Sequence, residues 1–511
     1  MPRLLRPVAR VALAVIACAA ASAVPFGQAG ARPASASAYL DAIRDDPARL
    51  HTFLRAMPKG GDLHNHLSGA IRTESLIRFA AADGLCIDTV SLAASSPPCG
   101  PRQRPAADTA GDRAFSTRVL DAWSMEDFQP GPETGHDHFF GTFARFGAAA
   151  HHTGDMIAEV AARAAAENEF YLELMLSRQS TAVRTLAQRA GFDPDLARMR
   201  DRLLASGAMA RIVTAARADT DTDFDRFRAV LHCGTPAAGP ACTLPIRLDS
   251  QIIRTDPPEA VFAELVLGFE LAEADHRFVA VNLVAPEDDA TSLRDYRLHM
   301  RMVGYLRSVY HRAHVTLHAG ELTGGLVPPP DLRFHIHDAV LVAHSERIGH
   351  GVDVAQETDS DGLLSTMAAG HVLVEIALSS NRQILGVYGD RHPLRLYRQH
   401  HVPVTLVTDD EGVERIDGLT SQYEQAVRVH GLRYEDLKAM ARAAIDHGFL
   451  EGGSLWRGPD DFRPAPPCER DTLGGPVPDP ACRALLQASA RAAAEWRQET
   501  AFARFEHADR R

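Results

Sequence analysis

The sequence predicts an α/β fold that closes into a (β/α)8 TIM barrel with loop insertions. Three observations predict it. Short β-type runs alternate with amphipathic helical stretches, which implies a parallel sheet. Eight runs can be counted, and eight such repeats suit closure into a barrel. No G-x-G-x-x-G follows the first run, which argues against a doubly wound open sheet. The chain has 511 residues, 45% hydrophobic and 23% charged, ample material for one barrel with insertions. Length alone also permits two domains.

Taken in order, the first residues read as an export signal. Arg3, Arg6 and Arg10 give a basic start, residues 11–23 are apolar or small, and Ala21-Ser22-Ala23 is an A-x-A cleavage site. The apolar run is shorter than the roughly 20 residues of a membrane span. Val15-Ile16-Ala17-Cys18 also resembles a lipoprotein processing site, which would leave Cys18 lipidated instead of discarded. The expectation is an exported protein, periplasmic or secreted, with a signal at 1–23 and one barrel over 37–511.

Residues 37–53 pattern as a lead-in helix. The β-type runs are 59–64, 170–176, 211–216, 278–284, 315–318, 346–349, 372–378 and 402–407. Helical patterns fall at 156–166, 258–274, 293–311, 336–345 and 418–430. Three Pro/Gly-rich or Cys-bearing stretches, 86–112, 220–244 and 452–482, read as surface insertions, and a final helix is expected at 483–505.

Seven cysteines occur, and setting Cys18 aside leaves six. They fall as Cys86/Cys99, Cys233/Cys242 and Cys468/Cys482. Six cysteines permit 15 pairings, so local closure is an expectation from spacing alone. No C-x-x-C is present to support a cysteine metal site. Net charge is -12 with no long Lys/Arg block, which disfavours nucleic acid and anionic membranes as partners. A small neutral substrate suits this balance.

The chemistry gathers at predicted strand ends. His64-Asn65-His66 closes the first run, and strand alternation points both imidazoles to one side. His318-Ala319-Gly320-Glu321 follows the fifth run, Arg347-Ile348-Gly349-His350-Gly351 the sixth, and Thr408-Asp409-Asp410 the eighth. A barrel brings its C-terminal strand ends to one mouth. Three His and a carboxylate could then surround one metal, with Glu321, His350 and Asp410 left to move protons and bind substrate. Taken singly, H-x-H is a weak signal and Asp-Asp is more often a solvated turn or helix cap. His335, His337, His392, His400 and His401 read as surface or satisfied core groups.

Met57-Pro58-Lys59, His64-x-His66, His-Ala-Gly-Glu, Arg-Ile-Gly-His-Gly, Ser379-Ser380-Asn381 and Thr-Asp-Asp occur in that order from about residue 55 to 430. In this the chain resembles the adenosine deaminase family of the amidohydrolase superfamily. Its export signal, Cys-bearing insertion and Tyr171-Leu172-Glu173-Leu174 are similar to the secreted growth-factor-related branch. The resemblance implies one Zn2+ held by His64, His66, His318 and Asp409. It implies that Glu321 protonates the purine N1, that His350 orients or deprotonates the attacking water, and that Asp410 accepts a hydrogen bond near N7. The implied reaction converts adenosine, or a close 6-aminopurine nucleoside, to inosine and ammonia.

Two positions depart from the family pattern. Ser68 stands where an Asp usually meets the ribose, and Ala285 stands where a Gly backbone usually approaches the purine. Both are expected to contact substrate, and both put sugar selection in doubt. The alternatives are a deaminase of a modified adenosine or a 5′-nucleotide, or a non-catalytic nucleoside-binding or signalling protein.

Overall fold

The computed structural model describes residues 35–508. The expected export signal and Cys18 lie outside the described residues. Eight parallel strands form one sheet: β1 (Gly60–His66), β2 (Glu169–Leu176), β3 (Ile246–Ile253), β4 (Phe278–Val284), β5 (His314–Ala319), β6 (Arg347–His350), β7 (Leu373–Ile376) and β8 (Val404–Leu406). Each strand pairs with the next in chain order. A bridge between Asn65 and Asp409 brings the end of β8 back to β1. There the Asp409 N–H donates to the His64 carbonyl at 2.9 Å. Helices wrap the sheet, so the architecture is the TIM barrel.

One strand was misplaced by the sequence pattern. Residues 211–216 lie inside the helix Ala208–Val230, not in the sheet. Met209, Val213, Ala216, Thr220, Phe224 and Phe227 are buried along it at three- and four-residue steps, the stripe of a helix face. That stripe overrides the local β-branched Ile212-Val213-Thr214. The true third strand, Ile246–Ile253, carries buried polar residues Asp249 and Ser250, which hid its hydrophobic character. The insertion expected at 220–244 therefore shrinks, since residues through Val230 belong to that helix.

The other two insertions are small built units. Cys86–Asp88, Ala94–Ser95 and Gln103–Pro105 form an antiparallel sheet. Trp456–Gly458 and Asp461–Pro464 form a hairpin. The lead-in is two helices, Ala36–Ile43 and Pro47–Ala56, the second capped by Asp46 with Pro in its first turn. The final helix is likewise two, Pro480–Ala488 and Ala490–His507. Ser489 is extended between them and accepts from the Ala492 N–H.

All three local cysteine pairs are closed, with Cα separations of 5.3, 5.5 and 4.6 Å. Closing loops of this size stabilises by about 3 kcal/mol each in the chain-entropy model. Lys59 is buried and donates to the carbonyls of Arg55, Met57 and Glu167. It thereby ties the end of the Pro47–Ala56 helix to the barrel, a structural job for the Met-Pro-Lys motif. Among the described residues, no helix is long and apolar enough to cross a membrane.

Candidate functional site

The C-terminal strand ends bring His64 and His66 (β1), His318 (β5), His350 (β6) and Asp409 (after β8) to one mouth. The His318 Nε2 lies 3.1 Å from both the His64 Nε2 and the His66 Nε2. Asp409 Oδ1 is 3.4 Å from the His66 Nε2 and 3.7 Å from the His64 Nε2. All four side chains are buried.

The other ring nitrogens explain this convergence. His64 Nδ1 meets Glu375 Oε2 at 2.8 Å, His66 Nδ1 meets Gln251 Oε1 at 3.0 Å, and His318 Nδ1 meets Asn282 Oδ1 at 2.9 Å. Each partner is an acceptor, so each Nδ1 carries the proton and each Nε2 presents a lone pair. The Asn282 oxygen is fixed in place because the His318 backbone N–H also donates to it, at 3.0 Å. Three lone pairs and a carboxylate facing one another repel unless a cation lies between them. That donor set, with each imidazole held from behind, fits a divalent metal. Burial pushes His66 down to about 4 and His318 well below its ordinary range. His64 moves upward instead: burial opposes its charge, but Glu375 and Asp409 outweigh burial. The hole is carboxylate-rich and draws positive charge.

The backbone pays local strain to make this arrangement. Ala285, His350 and Asp409 have φ of 80°, 68° and 66°, left-handed values that cost a non-glycine residue about 1–3 kcal/mol. Two glycines allow close approach. A Cβ on Gly349 would stand 2.7 Å from the His64 ring, and one on Gly69 would stand 1.6 Å from Asp410 Oδ1.

A cavity of 310 Å³ opens on this cluster. His66, His318, Glu321, His350, Asp409 and Asp410 form its polar end. Phe139, Phe140, Phe143, Ile253, Val284 and Ile384 form apolar walls, with Ala285 and Pro286 at the β4 end. No lysine or arginine lines it among the described residues. The phenylalanines come from the helix Gly135–Phe146, whose His136 Nε2 meets Asp288 Oδ1 at 3.0 Å across the mouth. Ser68 is half-buried in the turn after β1 and is not among the lining residues, unlike Ala285.

Burial, then the charges of Asp409 and Glu287, pushes Glu321 well above the usual carboxylate range. Burial, with Asp409 and Glu414, does the same to Asp410, whose Oδ1 has no partner among the described residues. Both carboxyls are thus biased towards the protonated form. Glu287 fixes the loop that carries Glu321: it accepts from the Gly320 and Glu321 N–H groups at 3.1 and 2.8 Å, and meets His335 Nδ1 at 2.6 Å. Sequence reasoning missed Glu287, Glu375, Gln251 and Asn282. Gln251 had no chance, since its strand was not found; the others lie in recognised strands or at their ends but belong to no motif.

Comparison with known proteins agrees with the fold and points to a family. The family model described as adenosine deaminase matches residues 148–454, which is 307 of the 511 residues. An adenosine deaminase of Edwardsiella ictaluri is 30% identical over 220 residues, 42% of this chain and 59% of that protein. An adenine deaminase of Rhizobium leguminosarum bv. trifolii is 33% identical over 139 residues, 27% of this chain and 39% of that protein. The matches thus span less than two thirds of these curated relatives' own length. Arabidopsis ADAL complexed with IMP shares the fold at TM-score 0.50 and 20% identity, over 78% of this chain and 94% of that one. The matched stretch begins after β1, and the barrel carries His64 and His66 to residues within it. The chain belongs to the adenosine deaminase family.

Proposed function

We propose that the chain hydrolyses the 6-amino group of a purine nucleoside, adenosine plus water giving inosine plus ammonia, with one zinc ion held by His64, His66, His318 and Asp409. The observation that carries this is the three Nε2 lone pairs and one carboxylate converging beside the carboxyls of Glu321 and Asp410 in the wall of one cavity. When bound, the ion supplies Lewis acidity that brings the pKa of a water towards neutrality.

The chain's own residues supply the rest. Glu321, holding its proton beside the donor cluster, gives that proton to N1 and makes the adjacent C6 electrophilic. Asp410 faces N7, which in a neutral purine has a lone pair and no hydrogen. A protonated Asp410 donates there, which reverses the acceptor role expected from sequence. The phenylalanine walls exclude water and pack the ring. Ala285 sits at the β4 wall, and Pro286 beside it offers no N–H. Ser68 has no part in this reading. The three disulfides suit an exported protein in an oxidising compartment.

The absence of cationic lining favours an uncharged nucleoside over a 5′-nucleotide, because a buried phosphate needs a counter-charge. The test is ammonia release from zinc-loaded protein offered adenosine, 2′-deoxyadenosine, adenine and adenosine 5′-monophosphate. The two nucleosides should react within about tenfold of each other, a gap under roughly 1.4 kcal/mol. The nucleotide should fall at least about 100-fold lower. A preference for adenine or the nucleotide would overturn the nucleoside reading, and silence on all four would overturn the deaminase reading.

A further inference from the structure

We infer that Asn381 and His392 are positioning residues that hold the proton of His350 on Nε2, so that this imidazole faces the cavity as a hydrogen-bond donor and not as a base. The inference deepens the proposed function and rests on it for the identity of the cavity as the reaction site.

One group in this chain of contacts has an unambiguous role. The Leu394 backbone N–H lies 3.1 Å from His392 Nδ1. A backbone N–H only donates, so His392 Nδ1 is a lone pair, and the neutral ring carries its proton on Nε2. His392 is buried, and burial, with His430 and His350, pushes it down to about 3, so the ring stays neutral. Its Nε2–H then donates to Asn381 Oδ1 at 3.0 Å. This orients the Asn381 amide, whose two ends look alike in shape, with the NH2 turned towards His350. The Asn381 Nδ2 lies 3.0 Å from His350 Nδ1. An amide NH2 only donates, so His350 Nδ1 is an acceptor and its proton sits on Nε2. Glu321 Oε1 is 3.8 Å from the same Nδ1, outside hydrogen-bond reach, and does not compete.

The far nitrogen is the one that matters. His350 Nε2 is buried, has no partner among the described residues, and lies 3.8 Å from Asp409 Oδ2 at the cavity's polar end. With its proton there, it offers an N–H to an oxygen carrying developing negative charge at the attacked carbon. It has no lone pair on that side with which to remove a proton from water. That proton passes instead to Glu321, which is left as a carboxylate once its own proton has gone to N1. The sequence left His350 with two roles, orienting water or deprotonating it, and this chain of hydrogen bonds selects the first. Asn381 belongs to the Ser-Ser-Asn motif and His392 to the histidines read as satisfied core; here both act through His350.

The test reads the proton directly. In zinc-loaded protein with 15N-labelled histidine, the His350 signals are identified by their loss in His350→Gln. Wild type should show the proton on Nε2. In Asn381→Asp a carboxylate replaces the NH2 donor, so the proton should move to Nδ1. That variant should keep its zinc and its KM within about threefold, and lose about 100-fold in kcat. His392→Gln retains an N–H donor and should keep the wild-type proton position, whereas His392→Leu should not. A wild-type proton on Nδ1, or an unmoved proton in Asn381→Asp, overturns the inference. Should Asn381→Asp fail to fold, the wild-type spectrum alone decides. The spectrum is recorded without substrate, so a protein that deaminates no purine would sink the proposed function and leave this result readable.

Discussion

Two layers of buried charge lie one above the other in the barrel, and they behave oppositely. In the lower layer the Arg347 guanidinium meets Glu375 and Glu173 and donates to the carbonyls of His447 and Leu63. Thr316 adds a bond to Glu375 at 3.1 Å. Burial works against the charge on Glu375, but Arg347 and His64 hold it below the usual carboxylate range. Asp249, 3.8 Å from the guanidinium, is pushed well above the usual carboxylate range by burial and by Glu173. The Arg347, Glu173 and Glu375 charges there compensate one another, while both Asp249 oxygens lack a hydrogen-bond partner among the described residues. In the upper layer three imidazole lone pairs face Asp409, Glu321 and Asp410 lie well above the usual carboxylate range, and the Asp410 Oδ1 has no partner among the described residues. Glu375 joins the layers, bonded to Arg347 below and to His64 above. The difference teaches how to read a buried charge: carboxylates that meet a buried guanidinium are structure, and a cluster of lone pairs and a carboxylate with no cation facing them is completed by something that binds.

Two changes test that division directly, and two more probe its surroundings. The largest effect belongs to the upper layer. Glu321→Gln should keep fold and zinc but lower kcat by 10²–10⁴, about 3–5.5 kcal/mol of barrier, because the amide has no carboxyl proton to give. A loss under about tenfold in steady-state kinetics would remove Glu321 as the acid. In the lower layer, Arg347→Met leaves Glu173 and Glu375 without their counter-charge. It should destabilise the fold by about 3–5 kcal/mol, read as a fall in the denaturant midpoint. A shift within about 0.5 kcal/mol would mean the lower layer is not the support described.

A smaller effect is expected from Ala285→Gly. It relieves a left-handed φ at the cavity wall, and after the added backbone freedom of glycine is offset the net gain should be about 1 kcal/mol or less. If the strain shapes the site, stability should rise while kcat/KM for adenosine changes; an unchanged kcat/KM would make the strain incidental. The last change concerns pH. Burial first, with Asp256 nearby, pushes Glu264 up to about 7 in the folded chain, above its ordinary 4.5. A carboxyl raised on folding binds a proton that the unfolded chain releases. Its stabilising contribution is therefore present below about 4.5 and is lost as pH rises through about 7. Glu264→Gln should flatten the stability profile in that window, and an unaltered slope would contradict the assignment.

How much of this was legible in sequence follows from what each signal depends on. The ends of the strands are readable because short apolar runs stop at unusual residues, and this places His64, His66, His318, Glu321, His350, Asp409 and Asp410 together from sequence alone. The residues behind them were not readable. Asn282 sits within an apolar strand, Gln251 sits in a strand disguised by Asp249 and Ser250, and Glu375 is an ordinary-looking Glu between Val374 and Ile376. Their roles depend on distances between separate strands, to which sequence spacing is blind. The strand expected at 211–216 failed because three β-branched residues outweighed a helical stripe that runs through 23 residues. Ser68 was given a substrate contact by analogy of position, and it does not line the cavity.

The central claim is that the upper layer is completed by one divalent ion on His64, His66, His318 and Asp409. Elemental analysis of purified wild type and His64→Ala, each loaded with zinc and dialysed, tests it most directly. The account predicts one zinc per chain in wild type, and less than about 0.1 per chain in the variant, since losing one ligand opens the site. Stoichiometric zinc retained by His64→Ala, or none held by wild type, would contradict it.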